Sequence, residues 1–115
     1  MVSSLGVFAT ERQLTFEPKG HLLTNTQVWS SDGAWIVYDT RSRDDQFTAT
    51  TIERVHVSSG RIEVLYRTSA DAACGVVTTD PQRDRVIFIH GPEHPVADWS
   101  YGPSRRRGVI VEGSQ

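Results

Sequence analysis

Residues 28–43 read Val-Trp-Ser-Ser-Asp-Gly-Ala-Trp-Ile-Val-Tyr-Asp-Thr-Arg-Ser-Arg, and this stretch decides the fold. The apolar pair Val28-Trp29, within a predicted strand over residues 27–30, runs into the corner Asp32-Gly33, and the alternating residues 34–40 follow directly. An Asp-Gly pair between two such runs is a strong hairpin signal, because glycine takes a positive φ at little cost. The sequence therefore predicts a two-residue turn between two antiparallel strands.

Two further strands are predicted after the hairpin. Residues 50–57 alternate as strand residues do, and residues 61–67 form a fourth strand after a tight turn.

The same pattern then occurs again further along the chain. The repeat offset is about 50 residues, a period that is typical of propeller blades. The matching segments are 75–81 with 27–33, 85–89 with 35–39, and 108–111 with 54–57.

These patterns predict an all-β chain made of four-stranded antiparallel meanders, the form of β-propeller blades. No window of 11 residues shows a helical period, so no helix is expected. We expect a flexible leader at residues 1–11, a closing strand (Arg12 to Phe16) plus first blade at 12–67, and a second blade at 68–115 that lacks its fourth strand. About two blades cannot close a ring, so a single chain is predicted to be an incomplete propeller.

Composition limits the class of function. The 115 residues include 12 basic and 14 acidic side chains, for a net charge of −2. This balance argues against nucleic-acid or membrane-surface binding, and no apolar run approaches the roughly 18 residues of a spanning helix. The N-terminus lacks the features of a secretory signal, and the single Cys74 fits a reducing compartment, so we expect a cytoplasmic protein.

The corner at Asp32-Gly33 resembles the W-S-x-D-G-x-x-I-x-Y/F repeat of TolB-like β-propellers, where it joins the two inner strands of a blade. Further segments resemble the opening of the bacterial DUF3748 family, whose members are TolB-like propellers without an established activity. They are His-Leu-Leu-Thr-Asn-Thr at 21–26, Thr-Ile-Glu-Arg-Val at 51–55, Phe-Ile-His-Gly-Pro-Glu at 88–93 and Arg-Arg-Gly-Val-Ile-Val-Glu at 106–112. The resemblance implies a fold and no activity.

A shorter resemblance concerns chemistry. Oligogalacturonate lyases, propeller enzymes that cleave short pectin fragments, also have a histidine before the first hairpin and an H-x-G-P-like segment in a later blade. Here His21 and the segment His90-Gly91-Pro92-Glu93 stand in similar contexts. The likeness implies His90 as a general base or metal ligand and His21 as a second ligand, for a divalent metal such as Mn, Fe, Zn or Ni.

The residues themselves offer further candidates. His90 and Glu93 lie in a stretch stiffened by prolines, which suits functional groups held by a scaffold, although a structural turn with solvated histidines is the alternative. Arg106 and Arg107 carry guanidinium groups that pair bidentately with carboxylate. Aromatic residues between prolines and glycines suit ligand stacking. The predicted ligand-binding set is Arg106, Arg107, Trp99, Tyr101 and Glu93.

Three functions stay open at this point. The first is a propeller module whose loops bind a small acidic carbohydrate or a protein partner. The second is a metal-dependent lyase or hydrolase of uronate-containing oligosaccharides, and the third is a structural fragment without activity of its own. Assembly has two alternatives as well: residues 12–16 complete a neighbour's second blade in a ring of about three chains, or the remaining blades belong to a longer protein.

Overall fold

The computed structural model describes residues 10–43, 47–69, 72–91 and 106–112. Within these ranges the chain is all-β, as predicted, with no helical residue and two three-stranded antiparallel sheets. The first sheet has the order β1-β2-β3 and the second the order β4-β5-β6. The strands are β1 Trp35–Asp39, β2 Thr51–His56, β3 Ile62–Arg67, β4 Cys74–Thr79, β5 Arg85–His90 and β6 Arg107–Glu112. This arrangement is consistent with a fragment of propeller blades.

The turn at Asp32-Gly33 forms where the sequence predicts it, but the loop is longer. The backbone N–H of Ser30 donates to the carbonyl of Trp35 at 2.9 Å, so the loop comprises residues 31–34. Gly33 takes a φ of 72°, which glycine adopts without strain. Asp32 Oδ1 accepts from the Ala34 N–H at 3.0 Å and from the Ser30 hydroxyl at 2.6 Å. These side-chain bonds replace backbone pairing and stabilise the wider turn.

The segment before the turn, residues 27–30, forms a bridge between Trp29 and Ile36 in place of the predicted strand. Its carbonyls are shared between two neighbours. The carbonyl of Val28 accepts from Val37 at 2.9 Å, whereas the carbonyl of Gln27 accepts from the backbone N–H of Thr79 at 3.0 Å. Because the segment bonds both to β1 and to β4, it joins the two sheets instead of extending one of them.

The two sheets are built on the same plan. Val37 pairs with Arg54 in the first sheet, and Ile87 pairs with Ile110 in the second. The position of Arg54 therefore corresponds to Ile110, two residues beyond the correspondence that the sequence repeat predicts. A shift of two keeps every side chain on its predicted face, because strand side chains alternate.

The core lies between the sheets. Consecutive strand residues point to opposite faces, so Val37 faces the second sheet and Tyr38 faces away from it. The rings of Tyr66 and Phe88 meet across the interface with centroids 4.7 Å apart. The buried cluster consists of Val28, Val37, Ile52, Cys74, Val77, Val86 and Phe88. We call the Val37 side of the first sheet its inner face and the Tyr38 side its outer face.

An N-terminal arm, residues 10–22, covers the outer face. The sequence predicts a closing strand over Arg12 to Phe16. In the described part of a single chain these residues form no strand, and their pairing with a neighbour's blade stays a prediction. The guanidinium of Arg12 instead donates to the carbonyls of Val57 and Ser58. Further along, Leu22 and Asp39 exchange backbone hydrogen bonds of 2.9 and 3.3 Å. The arm is therefore held by side chains and by one bridge.

We expect Tyr38→Ala and Phe88→Ala each to lower the free energy of unfolding by about 3–5 kcal/mol, the usual cost of removing a large buried aromatic. Both rings are fully buried, at 2% and 1% exposure, and occupy the corresponding position in the two sheets. Urea denaturation measures the loss. Tyr38→Phe is the control and should cost about 1 kcal/mol, since it removes only the hydroxyl bond to Glu53. A loss below about 1 kcal/mol for either alanine variant would contradict the register.

Candidate functional site

Several side chains, most of them polar, converge where β1 and β5 end and where β4 and β6 begin. We call them the strand-end cluster: Asp39, Arg41, Phe47, His90, Arg106 and Arg107. Asp39 is fully buried and Arg41 is 8% exposed. The guanidinium of Arg41 donates to both carboxylate oxygens of Asp39, from Nε at 2.9 Å and from Nη2 at 2.7 Å. This bidentate geometry is the strong form of an arginine–carboxylate pair.

Asp39 also connects the first sheet to the second. Its Oδ2 accepts the backbone N–H of Val76 at 3.1 Å. Val76 lies in the β-bulge between Gly75 and Thr78 and has a φ of 58°, which is rare and costly for a β-branched residue. A Cβ at Gly75 would lie 3.0 Å from Asp39 Oδ2 and 3.2 Å from Phe47. A side chain at this position would therefore crowd the carboxylate where it reaches the next sheet.

His90 is the last residue of β5, and its side chain is buried at 2% exposure. Its ring meets the ring of Tyr66 edge-on, with centroids 6.1 Å apart. In the sheet it pairs with Cys74 on one side and with Arg107 on the other. The sequence places His90 at the start of a functional loop, whereas the structure places its imidazole at the end of the core.

Arg106 and Arg107 stand at the beginning of β6, next to His90. Arg107 is exposed and directly opposite His90 in the ladder. The guanidinium of Arg106 lies over the ring of Phe47, 5.1 Å from its centroid, a cation–π arrangement. The structure thus places His90 next to Arg106 and Arg107, which the sequence analysis singles out apart from it. The other predicted ligand-binding residues, Trp99, Tyr101 and Glu93, lie outside the described residues.

His21 lies on the other side of the first sheet. Its ring packs against Tyr38 with centroids 4.8 Å apart, on the outer face, and its Nε2 is 3.8 Å from a carboxylate oxygen of Glu17. His90 packs against Tyr66, on the inner face. The sheet therefore separates His21 from His90 and does not bring them into one metal site. In the described ranges, no three side chains among histidine, cysteine, aspartate and glutamate are grouped to hold a metal ion.

The outer face holds a second polar group that sequence reasoning did not single out. Glu53 is 1% exposed and accepts from Lys19 Nζ at 2.7 Å, from the Thr51 hydroxyl at 3.0 Å and from the Tyr38 hydroxyl at 3.2 Å. Burial acts to raise the pKa of Glu53, but the hydrogen bonds from Lys19 and Thr51 outweigh it, and the pKa lies below its ordinary value. The available signal was a glutamate in the middle of a strand, between Thr51 and Val55 on the same face.

Cys74 carries no nucleophilic function at neutral pH. The side chain has 0% exposure, and burial, with a smaller contribution from the nearby Asp39 carboxylate, raises the pKa of the thiol to about 12. The thiolate is the reactive form of cysteine, and almost none is present at pH 7. Cys74 therefore acts as a small core residue.

With the geometry in place, comparison with known proteins bears on the family. Residues 73–115 match the model of a protein family of unknown function, DUF3748. Over 104 residues, 90% of the chain, the sequence is 50% identical to the uncharacterised protein YidR of Escherichia coli K12. Both findings support the DUF3748 family predicted from the sequence.

The matched region is 25% of YidR, so the chain spans about a quarter of the length of this relative. No solved structure matches the chain. The described residues include no helix with the length and apolarity needed to cross a membrane.

We expect Asp39→Ala to destabilise the fold by about 3–5 kcal/mol, because it leaves the buried guanidinium of Arg41 without its carboxylate. The double variant Asp39→Leu/Arg41→Met is the matched control and should cost clearly less, since it removes both charges. Guanidinium denaturation of the parent, the single and the double variant gives both values. A double variant as unstable as the single one would show that the ion pair does not determine the cost.

We expect Glu53 to make the fold sensitive to acid. Its pKa in the folded state is lowered from the ordinary 4.5, so its contribution is present above about pH 5 and is lost as the pH falls through the lowered pKa. Glu53→Gln should therefore flatten the dependence of unfolding free energy on pH below 5. Other carboxylates account for the remaining slope, such as Asp32, whose pKa is lowered by a hydrogen bond from Ser30. An unchanged slope would rule out an ionised Glu53 as a source of stability.

Proposed function

We propose that the chain is a binding module for a small acidic carbohydrate, which it holds at the strand-end cluster through Arg106 and Arg107. One observation carries the proposal: Arg107 and His90 are directly paired across β5 and β6, and Arg106 lies over Phe47 beside them. Residues far apart in sequence thus meet at one end of the second sheet. Such strand ends commonly carry binding residues, because the sheet holds them rigidly.

The charges at this end support an anionic ligand. Within the cluster the carboxylate of Asp39 already pairs with Arg41, so its charge is balanced. Arg106 and Arg107 place two guanidinium groups at the start of β6, beside His90. A guanidinium pair of this kind matches the planar carboxylate of a uronate.

The lyase or hydrolase alternative would place His90 in contact with substrate and join it to His21 through a metal. In the structure the imidazole of His90 is buried at 2% exposure, and His21 lies across the first sheet. A general base must come within hydrogen-bond reach of the proton it removes, directly or through one water. The geometry therefore favours binding over catalysis. A protein partner that offers an acidic side chain would use the same arginines.

We expect digalacturonate to bind this chain and Arg107→Gln to weaken the binding at least about tenfold, because a hydrogen bond to a charged group contributes roughly 1.5–3 kcal/mol. Arg107→Lys keeps the charge but loses the planar guanidinium that binds a carboxylate with two hydrogen bonds. Its affinity should therefore lie between those of Arg107→Gln and the parent. Arg67→Gln, which removes an exposed arginine at the end of β3, is the matched control and should bind like the parent. Isothermal titration calorimetry or an NMR titration gives the affinities.

A neutral disaccharide of the same size, digalactose, separates charge recognition from general sugar binding. We expect it to bind at least about tenfold more weakly than digalacturonate, since it lacks the carboxylates. Equal affinity for the two sugars, or an Arg107→Gln variant that binds as the parent does, would overturn the proposal. Failure of digalacturonate to bind at millimolar concentration would overturn it as well.

A further inference from the structure

The outer face of the first sheet holds an ammonium group on a buried carboxylate. Glu53 lies in the middle of β2 at 1% exposure, and the ammonium of Lys19 donates to its Oε2 at 2.7 Å. A second carboxylate oxygen, Oε2 of Glu17, lies 3.7 Å from the same nitrogen. The hydrogen bond to Glu53 is the largest cause that holds the pKa of Lys19 above its ordinary value of 10.5, so the bound group is an ammonium.

Two strands hold the carboxylate in place independently of the ammonium. The Tyr38 hydroxyl of β1 donates to Oε1 of Glu53 at 3.2 Å, and the Thr51 hydroxyl of β2 donates to Oε2 at 3.0 Å. The Thr51 oxygen also lies 2.7 Å from the Thr40 hydroxyl. Because Thr51 uses its proton on Glu53, Thr40 is the donor in that pair. A carboxylate positioned in this way needs little reordering to bind a cation. We call Tyr38, Thr51 and Glu53 the outer-face site.

The ammonium itself comes from the arm, which is attached differently. Residues 10–21 include no strand residue. Lys19 follows a turn at Pro18, in which its backbone N–H donates to the carbonyl of Glu17 at 2.9 Å. Its side chain is 36% exposed, whereas that of Glu53 is 1% exposed. The carboxylate therefore belongs to the sheet, and its present occupant approaches from the solvent side on a segment outside the sheet.

We propose that the outer-face site binds a primary alkylammonium group, which Lys19 supplies in this structure and which another molecule supplies when Lys19 leaves. The hydrogen bonds already made favour this ion. Oε1 accepts from Tyr38 and Oε2 accepts from Thr51, which leaves a single donor more room than the two parallel bonds of a guanidinium. The site faces away from Asp39, which lies on the inner face, so it is distinct from the strand-end cluster. The arm then acts as an internal competitor of the ligand.

Chemical rescue tests the site in this chain. Lys19→Ala removes the ammonium together with its alkyl stem, and n-butylammonium chloride supplies both from solution. The urea midpoint is measured with about 100 mM of the salt, where a ligand with a dissociation constant of about 10 mM raises the folding equilibrium constant about tenfold. Sodium chloride and tetramethylammonium chloride, which has no N–H group, are the reference salts. If Lys19→Ala is unfolded in buffer, the recovery of folded circular dichroism by each salt is compared instead.

Two sources can supply such an ammonium, and two further ligands distinguish them. Cadaverine represents a free diamine, and Nα-acetyl-lysine methylamide represents a lysine side chain of a partner protein. Both carry the alkylammonium end, so both should stabilise Lys19→Ala more than the reference salts do. A difference in affinity of at least about threefold identifies the source, whereas equal affinities show that the site recognises the ammonium group alone.

We expect n-butylammonium to stabilise Lys19→Ala about tenfold more than either reference salt. The parent should show no such difference, since Lys19 fills the site. Lys19→Ala/Glu53→Gln is the matched control and should respond to the three salts alike, because a neutral amide does not attract the cation. Equal effects of the three salts on Lys19→Ala would overturn the proposal. A gain from n-butylammonium that persists in the double variant would overturn it as well.

Discussion

The buried carboxylate of Asp39 is the constraint on which the rest of the structure depends. A charge at 0% exposure must receive hydrogen bonds from the chain itself, because water cannot supply them. Arg41 provides two side-chain donors from the first sheet, and the backbone of Val76 provides another from the second. The second contact is made with a left-handed backbone at Val76, and a side chain at Gly75 would crowd it. The local strain in β4 is therefore offset by satisfying a buried charge, and this fixes the position of the second sheet relative to the first.

Much of the fold could be predicted because strand periodicity is local. The alternation of residues 34–40, 50–57 and 61–67 predicts β1, β2 and β3, and the repeat extends the prediction to the second sheet. The sequence says less about segments whose partners are distant. Residues 12–16 have a strand-like composition, yet the arm is held by Arg12 and Lys19, and composition does not show which carbonyl or carboxylate a side chain will meet. In the same way, the carbonyl of Gln27 bonds to Thr79, and no pattern near Gln27 indicates it.

The candidate site was predicted in part. His90 and Arg107 can be brought together from the sequence alone once β5 and β6 are paired, since register fixes which residues face each other. The separation of His21 from His90 could not be predicted, because His21 lies outside a strand and periodicity assigns it no face. The burial of His90 could not be predicted either. It depends on the ring of Tyr66, which belongs to the other sheet and lies beside the histidine only in the folded chain.

Strand β1 combines these features in two neighbouring residues. Tyr38 turns to the outer face, where its hydroxyl donates to Glu53 beneath the arm, and Asp39 turns to the inner face, where it bonds to the second sheet. Strand β1 therefore contacts both the arm on the outer face and the second sheet on the inner face.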